Sequence, residues 1–266
     1  MAGSRYIAPM TRIIPLEGVG NLRDFGGYRT LCGRGLKPGR FYRSGHHNQA
    51  TDADLDALAA LNLAVVVDLR RTDERERQPC RRWPGFEATV IDSDLADVDR
   101  GWEAMLPGAD PTPEFFDAMM LDWYRRAPFG PRMTYLFSRY FDVLAETDGG
   151  VLIHCTAGKD RTGLLVALTH YLAGVRRDDL IEDYLLTNTV PSQAQMAPRV
   201  ANIIEKLSGR TPSDEAVRVA MGVSPAYIAA SLEAIETRYG SIDTYLDQAL
   251  GVDPPKRRIL EARVLG

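Results

Sequence analysis

The sequence predicts an α/β fold in which a mainly parallel central sheet of about four or five strands is flanked by helices on both faces. Two continuous apolar runs, 63–69 and 151–153, are typical of strands that are buried on both faces. Apolar residues recur at helical spacing in the segments between and after these runs. After Gly174 the pattern is helical to the end of the chain.

Length and composition fit one domain, residues 1–266, with a sizeable core. The chain has 266 residues, of which 45% are hydrophobic. Its net charge of -4 argues against a nucleic-acid partner. Because no apolar run approaches the length of a membrane span, we expect no stable membrane insertion. The oligomeric state is left open by the sequence.

The number and spacing of the cysteines indicate in which cellular compartment the protein is expected. There are three, Cys32, Cys80 and Cys155, without the spacing of a zinc site. A sparse, odd set favours reduced thiols and a cytoplasmic protein. Pro9, Arg12 and Pro15 interrupt the first twenty residues, which therefore lack the apolar core of a signal peptide.

The remaining elements follow from local signals. Residues 41–43 and 86–91 are predicted strands. Thr51 should cap a helix with Asp54 at the capping-box position, and Thr112 should cap another that starts at Pro113. Residues 130–146 form a strongly amphipathic helix. The segment 21–28 is either a hairpin with an exposed ion pair or a neighbour of the site, and the charged stretch 70–77 is typical of solvated surface.

The segment 154–163, HCTAGKDRTG, connects the strand 151–153 to the helix that ends at Gly174. Loops of this kind bind anions, because successive backbone N–H groups point inward and the helix dipole favours negative charge. We expect the amide groups of the loop to hold a phosphate. The residues concerned are Thr156, Ala157, Gly158, Lys159, Asp160 and Arg161.

The side chains of this loop indicate a chemical role. Cys155 opens it and Arg161 closes it, so a thiol in an amide nest beside a cation should be a thiolate at neutral pH. The planar Arg161 fork matches two phosphate oxygens. Together they predict in-line attack on phosphorus and a cysteinyl-phosphate that water hydrolyses. Thr162 could stabilise the sulfur as a leaving group, and His154 could orient the loop.

Simpler interpretations fit less well. A buried structural cysteine and a capping arginine would not require His154, Gly158 and Thr162 around them. A nucleotide-binding loop would need a hydroxyl residue at Asp160 and a glycine at Ile153. Cys32 and Cys80 lack a comparable nest, so Cys155 is expected to be the only fast-reacting thiol.

These residues resemble the signature of cysteine-dependent protein tyrosine phosphatases. Lys159 and Asp160 narrow the resemblance to the atypical bacterial branch of tyrosine and lipid phosphatases, which includes mycobacterial members. Three further motifs agree with that branch: NLRDFGGY at 21–28, YRSG at 42–45 and DLR at 68–70. The resemblance covers most of the chain. Since members of this branch can be exported without a cleaved signal, secretion into a host stays open.

Further residues are candidates for supporting roles. Residues 189–223 exceed the phosphatase core and resemble a helical lid insertion, with a packed subdomain as the alternative. Asp68 or Arg70, at the end of the strand 63–69, could brace the loop. The usual acid motif is absent, because Trp83-Pro84 is followed by Gly85. Two aspartates compete as general acid, and we favour Asp160 over Asp94.

The implied activity is metal-independent hydrolysis of phosphotyrosine, with dual specificity included. The partner would be a phosphorylated protein, or a phosphoinositide if the lipid alternative holds, and no cofactor is expected. Lys159 matches one lysine of phosphoinositide phosphatase loops, but Thr156 stands where they carry another. A non-catalytic phosphate-binding module and a sulfurtransferase are the rivals. His46-His47 is not expected to bind a metal, because neighbouring side chains diverge.

Overall fold

Five short strands form one sheet at the centre of the molecule. The computed structural model describes residues 12–96, 101–190 and 192–266. In chain order the strands are β1 (Arg23–Asp24), β2 (Phe41–Ser44), β3 (Leu63–Asp68), β4 (Thr89–Ile91) and β5 (Gly150–His154). They lie in the order β1–β2–β5–β3–β4, and every pair except the edge pair β1–β2 is parallel. The predicted α/β fold with a mainly parallel sheet is confirmed.

Both faces of the sheet are buried, which explains the continuous apolar runs in β3 and β5. Side chains alternate between the faces with a period of two. One face contributes Phe41, Val65, Val67, Val151 and Ile153 to the larger core. The other contributes Tyr42, Val66 and Leu152 to a smaller one. Because β5 lies between β2 and β3, its carboxyl end reaches the middle of the sheet edge, where sites form in such folds.

The helices surround this sheet and continue beyond it. Before β5 they are α1 (Asp52–Ala59), α2 (Thr72–Arg77), α3 (Trp102–Met105), α4 (Pro113–Arg126) and α5 (Pro131–Glu146). After β5 come α6 (Asp160–Ala173), α7 (Arg177–Leu185), α8 (Ser192–Ser208), α9 (Asp214–Met221), α10 (Pro225–Tyr239), α11 (Ile242–Gln248) and α12 (Pro254–Val264). Short 3-10 turns occupy Ala127–Phe129 and Leu186–Thr189.

The predicted helix caps are confirmed. The Thr51 hydroxyl accepts a hydrogen bond from the Asp54 N–H at 3.2 Å, and the Asp54 carboxylate accepts one from the Thr51 N–H at 2.9 Å. Thr112 caps α4, which begins at Pro113. Gly174 ends α6 with a φ of 74°, a left-handed conformation that favours glycine.

One predicted strand is shorter than expected. The prediction spanned 86–91, whereas β4 covers Thr89–Ile91. A turn occupies the start of the segment. It is closed by a hydrogen bond from the Phe86 N–H to the Trp83 carbonyl and has Gly85 at positive φ. The apolar Phe86 side chain instead packs against the smaller core.

The segment 189–223, which contains α8 and α9, is joined at its two ends. The Asn188 amide donates to the Val223 carbonyl at 2.8 Å, and the Val223 N–H donates to the Asn188 side-chain oxygen at 2.9 Å. Ile204 and Val217 carry the apolar faces of α8 and α9 into the larger core. The segment therefore leaves and re-enters the main body at one place. Among the described residues, no helix has the length and apolar character needed to cross a bilayer.

Candidate active site

The loop between β5 and α6 is built as the sequence predicts. β5 ends at His154 and α6 begins at Asp160, with Cys155 buried at the head of the loop. Gly158 adopts a φ of +65°, and a Cβ there would lie 2.3 Å from the Ser44 carbonyl carbon. Both facts require glycine, since another side chain would be strained and would collide with the neighbouring strand.

The carbonyl groups of the loop are turned away from its centre. The Thr156 carbonyl accepts from the His46 N–H at 3.1 Å. The Gly158 carbonyl accepts from the Asn21 amide at 2.9 Å and from Arg43 Nη2 at 3.0 Å. Within the described part of the chain, no N–H of residues 156–160 donates to another residue. With the carbonyls held from outside and these N–H groups unpaired among the described residues, the loop has donors left over that an anion could accept from.

A buried ionic cluster of Arg23, Arg43 and Asp183 lies next to the loop and supports it. Arg23 Nε lies 3.3 Å from Asp183 Oδ1, and Arg43 Nη1 lies 2.8 Å from Asp183 Oδ2, with all three side chains almost inaccessible. Burial, together with the positive charge of Arg43, lowers the pKa of Arg23 to about 10. Burial opposes ionisation of Asp183, but the two arginines hold its pKa below the ordinary value. Of the two alternatives for 21–28, the neighbour of the site is therefore confirmed and the exposed ion pair is wrong.

Arg161 is held by a glutamate that the sequence did not single out. Arg161 Nη1 lies 2.6 Å from Glu74 Oε2, and Nη2 lies 2.8 Å from Glu74 Oε1. The Thr156 hydroxyl also donates to Glu74, at 2.7 Å. Burial acts against the charged carboxylate, yet the Arg161 charge prevails and lowers the pKa of Glu74. Glu74 belongs to the stretch 70–77, so the prediction of a merely solvated surface there is wrong.

Asp68 and Arg70 lie at the end of β3 beside His154, where the position at a strand end predicted them to be. Both are buried, and Arg70 Nη2 donates to Asp68 Oδ2 at 2.7 Å. Asp68 Oδ2 lies 3.7 Å from His154 Nε2, and the His47 ring packs against His154. Asp68, Cys80 and His154 could together offer metal ligands. Arg70 also donates to Cys80 at 3.1 Å, so a cation already bridges two of these groups, and we place no metal there.

The remaining loop residues have distinct partners. Lys159 Nζ donates to the Ala220 carbonyl at the end of α9, at 2.9 Å, and lies 3.6 Å from Asp160 Oδ2. Asp160 Oδ1 accepts from the Tyr124 hydroxyl at 2.9 Å. The Thr162 hydroxyl is buried and has no hydrogen-bond partner among the described residues. The hydrogen bond from Thr162 to the sulfur is therefore not formed in this structure.

Asp94, the other candidate acid, has different surroundings. Its carboxylate is largely exposed and forms an ion pair with Arg75. It also accepts a hydrogen bond from the Thr72 hydroxyl at 3.1 Å. None of its described contacts involves residues 154–163, whereas Asp160 lies within the loop.

We expect the four histidines to make the free energy of unfolding fall markedly in mild acid. Burial lowers the pKa of all four, with that of the fully buried His154 at about 4. As the pH falls from about 6.5 to about 4, these histidines are protonated in the unfolded chain but stay neutral in the native state. The free energy of unfolding therefore decreases. His154 alone should account for about 2 kcal/mol at pH 5.

Urea unfolding at pH 7.5 and pH 5 measures this loss. Glu74, Asp68 and Asp183 keep their stabilising charges in that window, because their pKa values are lowered and an unfolded carboxyl titrates near about pH 4. His154→Gln should reduce the pH dependence. Equal free energies of unfolding at both pH values would contradict the prediction.

Comparison with known proteins agrees with the geometry. A family model described as the tyrosine phosphatase family matches residues 14–266. A candidate tyrosine-protein phosphatase of Cupriavidus necator is 32% identical over 251 residues, which cover 92% of this chain and 86% of that protein. The triple specificity protein phosphatase PtpB of Mycobacterium tuberculosis is 31% identical over 266 residues, covering 88% of this chain and 92% of PtpB.

A solved structure also overlaps with part of the chain. The crystal structure of P. aeruginosa TpbA covers 55% of this chain and 68% of its own, at 20% identity and a TM-score of 0.29, which is too low to support an argument. The family model spans nearly the whole chain, including the loop 154–163 and the buried residues that contact it. The resemblance seen in the sequence is thus confirmed, and the chain belongs to the tyrosine phosphatase family.

Proposed function

We propose that this chain hydrolyses phosphomonoesters without a metal, with phosphotyrosine as its main substrate and dual specificity included. The observation that carries the proposal is the position of Cys155 at the head of a loop whose carbonyls are held outward by Asn21, Arg43 and His46. Arg161 stands at the other end of the same loop. A nucleophile, an amide nest and a guanidinium fork are the groups that phosphoryl transfer needs.

The reaction would proceed in two displacements. In the first, the Cys155 thiolate attacks phosphorus, the ester P–O bond breaks and the leaving phenolate takes a proton from the general acid. The loop amides and Arg161 bind the non-bridging oxygens while charge shifts among them. In the second, water attacks phosphorus and gives a proton back to the carboxylate, the S–P bond breaks to restore the thiolate, and inorganic phosphate leaves. Glu74 contributes by fixing the Arg161 fork, so that its orientation does not have to be organised by the substrate.

The substrate class depends on what faces the mouth of the loop. Lys159 is turned toward Ala220 and Asp160, which supports a phosphotyrosine preference over a cation-rich phosphoinositide site. The name of PtpB, a triple specificity phosphatase, supports a wider range, and phosphoinositides remain the alternative substrate. The three free cysteines support a reducing, cytoplasmic setting.

A turnover panel tests this proposal. Phosphotyrosine peptide, phosphoserine peptide and phosphoinositides are assayed separately, each with and without EDTA. We expect release of phosphate from phosphotyrosine peptide, unchanged by EDTA and blocked by vanadate. Faster turnover of phosphoinositides would favour the lipid alternative. Binding of all three without turnover would favour a non-catalytic module, and activity that EDTA abolishes and metal restores would overturn the mechanism.

We propose Asp160 as the general acid. Asp160→Asn should slow phenyl phosphate about 10²-fold more than a nitrophenyl ester, whose anion leaves without a proton, and should flatten the alkaline limb of the pH–rate profile. Asp94→Asn is the matched change on the exposed carboxylate and should do neither. If the leaving-group dependence appears in Asp94→Asn instead, the roles are reversed.

We propose that residues 189–223 act as a lid, which Asn188 pins at its base. Asn188→Ala removes two hydrogen bonds of about 1 kcal/mol each, so the open state and the rate of peroxide oxidation of Cys155 should rise about thirtyfold. Ser224→Ala, which removes the cap of α10 just beyond Val223, is the matched control.

Oxidation at Cys155 must be separated from oxidation at Cys32. Cys32 is exposed, and a hydrogen bond with the Thr30 hydroxyl lowers its pKa to about 7. Cys32 could therefore react with peroxide as well, and the measurement belongs in a Cys32→Ser background. That Cys155 is the only fast-reacting thiol stays a prediction. Identical oxidation rates in Asn188→Ala and Ser224→Ala would make the segment a packed subdomain rather than a lid.

A further inference from the structure

We infer that Tyr124, supported by Tyr184, is a positioning residue that fixes the Asp160 carboxylate for proton transfer at the phosphate loop. The inference rests on the proposed function, in which Asp160 supplies the proton. Tyr124 lies on α4 and Tyr184 on α7, far from the loop in the sequence. Neither belongs to the motif that identifies the site, and the contact between them and Asp160 exists only in the folded chain.

The three groups form a hydrogen-bonded chain with a fixed direction. The Tyr124 hydroxyl donates to Asp160 Oδ1, at 2.9 Å, which leaves Oδ2 as the oxygen that can carry the acidic proton. With its proton used in this way, the Tyr124 oxygen accepts from the Tyr184 hydroxyl, at 2.6 Å. Each hydroxyl proton is thereby used in one hydrogen bond, and the hydrogen-bonded series ends at Asp160 Oδ1.

Burial holds the two tyrosine side chains in place and keeps their hydroxyl groups protonated. Tyr124 and Tyr184 are 0% and 1% exposed. The Tyr124 ring stacks on Tyr227 with centroids 5.6 Å apart, and a Cβ at Gly163 would approach the Tyr184 ring to 2.9 Å. Burial, reinforced by the Asp160 charge, raises the pKa of both phenols well above 10, so they stay donors at any working pH.

The arrangement assigns different tasks to the two oxygens of Asp160. Tyr124 occupies Oδ1, whereas Oδ2 lies 3.6 Å from Lys159 Nζ. Lys159 is itself fixed by the Ala220 carbonyl. Without the Tyr124 hydroxyl, the carboxylate could rotate about its last bond toward the cations of the loop. A proton donor works only when one oxygen is held within reach of the leaving group, and Tyr124 supplies that constraint.

The test removes one hydroxyl at a time. Tyr124→Phe keeps the ring that stacks on Tyr227 and deletes only the donor. Tyr140→Phe is the matched control, because Tyr140 is equally buried and its hydroxyl lies 3.0 Å from the Thr169 hydroxyl, with no bond to the loop. The kcat and KM of both variants are measured with phenyl phosphate and a nitrophenyl ester across pH, together with thermal stability.

We expect Tyr124→Phe to lower kcat for phenyl phosphate about tenfold more than for the nitrophenyl ester, and to move the alkaline limb of the pH profile, with KM nearly unchanged. Tyr140→Phe should change neither the leaving-group dependence nor the pH profile. In an Asp160→Asn background, Tyr124→Phe should have no further effect on kcat, because the group that it positions is gone.

Two results would overturn the inference. One is an equal loss for both esters with an unchanged pH profile, as a purely structural role predicts. The other is an effect of Tyr124→Phe that persists in full in Asp160→Asn. Failure of the proposed function looks different, because in that case the unmodified chain would hydrolyse neither ester.

Discussion

Replacing Cys155 with serine should lower kcat by at least about 10⁴-fold while binding of phosphate esters is retained. A serine hydroxyl is not ionised at neutral pH and is a far weaker nucleophile than a thiolate. The groups that we propose to bind the phosphate, the loop amides and Arg161, are unchanged by this substitution. Turnover of phosphotyrosine peptide and titration with vanadate or a slow substrate measure the two quantities separately.

Cys32→Ser is the matched control for this change. Cys32 lies on an exposed turn next to Thr30, with no contact to the phosphate loop among its described contacts. Its substitution should leave kcat and KM unaltered. Turnover in Cys155→Ser that approaches the level of Cys32→Ser would exclude Cys155 as the nucleophile.

Asp183→Asn should lower the free energy of unfolding by about 3 to 5 kcal/mol, the usual loss when one partner of a buried ion pair is removed. Arg23 and Arg43 would keep their charges in an environment that is almost closed to water, with no carboxylate to balance them. Since Arg43 also holds the Gly158 and Lys159 carbonyls, phosphate binding should weaken as well.

Urea unfolding at neutral pH measures the effect against Asp122→Asn. Asp122 pairs with Arg126 on the exposed face of α4, and removal of such a pair should change the free energy of unfolding by less than about 1 kcal/mol. A loss in Asp183→Asn no larger than that in Asp122→Asn would mean that the buried cluster does not support the fold.

The sequence could predict those parts of the site that depend on neighbouring residues. The strand, loop and helix around Cys155 and Arg161 are encoded in one continuous segment, and so are the caps at Thr51 and Thr112. The apolar runs of β3 and β5 predict burial on both faces, which only a covered parallel sheet provides.

The supports of the loop could not be predicted in the same way. Arg23 and Asp183 are 160 residues apart, and Glu74 lies 87 residues before Arg161. Each is a charged residue in a polar stretch that is typical of solvated surface. The composition of such a stretch does not show which charged side chains form buried ion pairs. The role of Tyr124 could not be predicted for the opposite reason. An aromatic residue on the core-facing side of a helix is explained by packing alone, and only the fold shows what its hydroxyl contacts.

The most direct test of the central claim is to trap the phosphoenzyme. The chain is mixed with phosphotyrosine substrate, quenched in acid within the first turnover, digested and mapped by mass spectrometry. The account predicts one phosphoryl group on the peptide that contains Cys155, absent from Cys155→Ser and from enzyme quenched before substrate is added. A phosphoryl group on another residue, or rapid turnover with no phosphorylated peptide in repeated early quenches, would contradict a cysteinyl-phosphate intermediate.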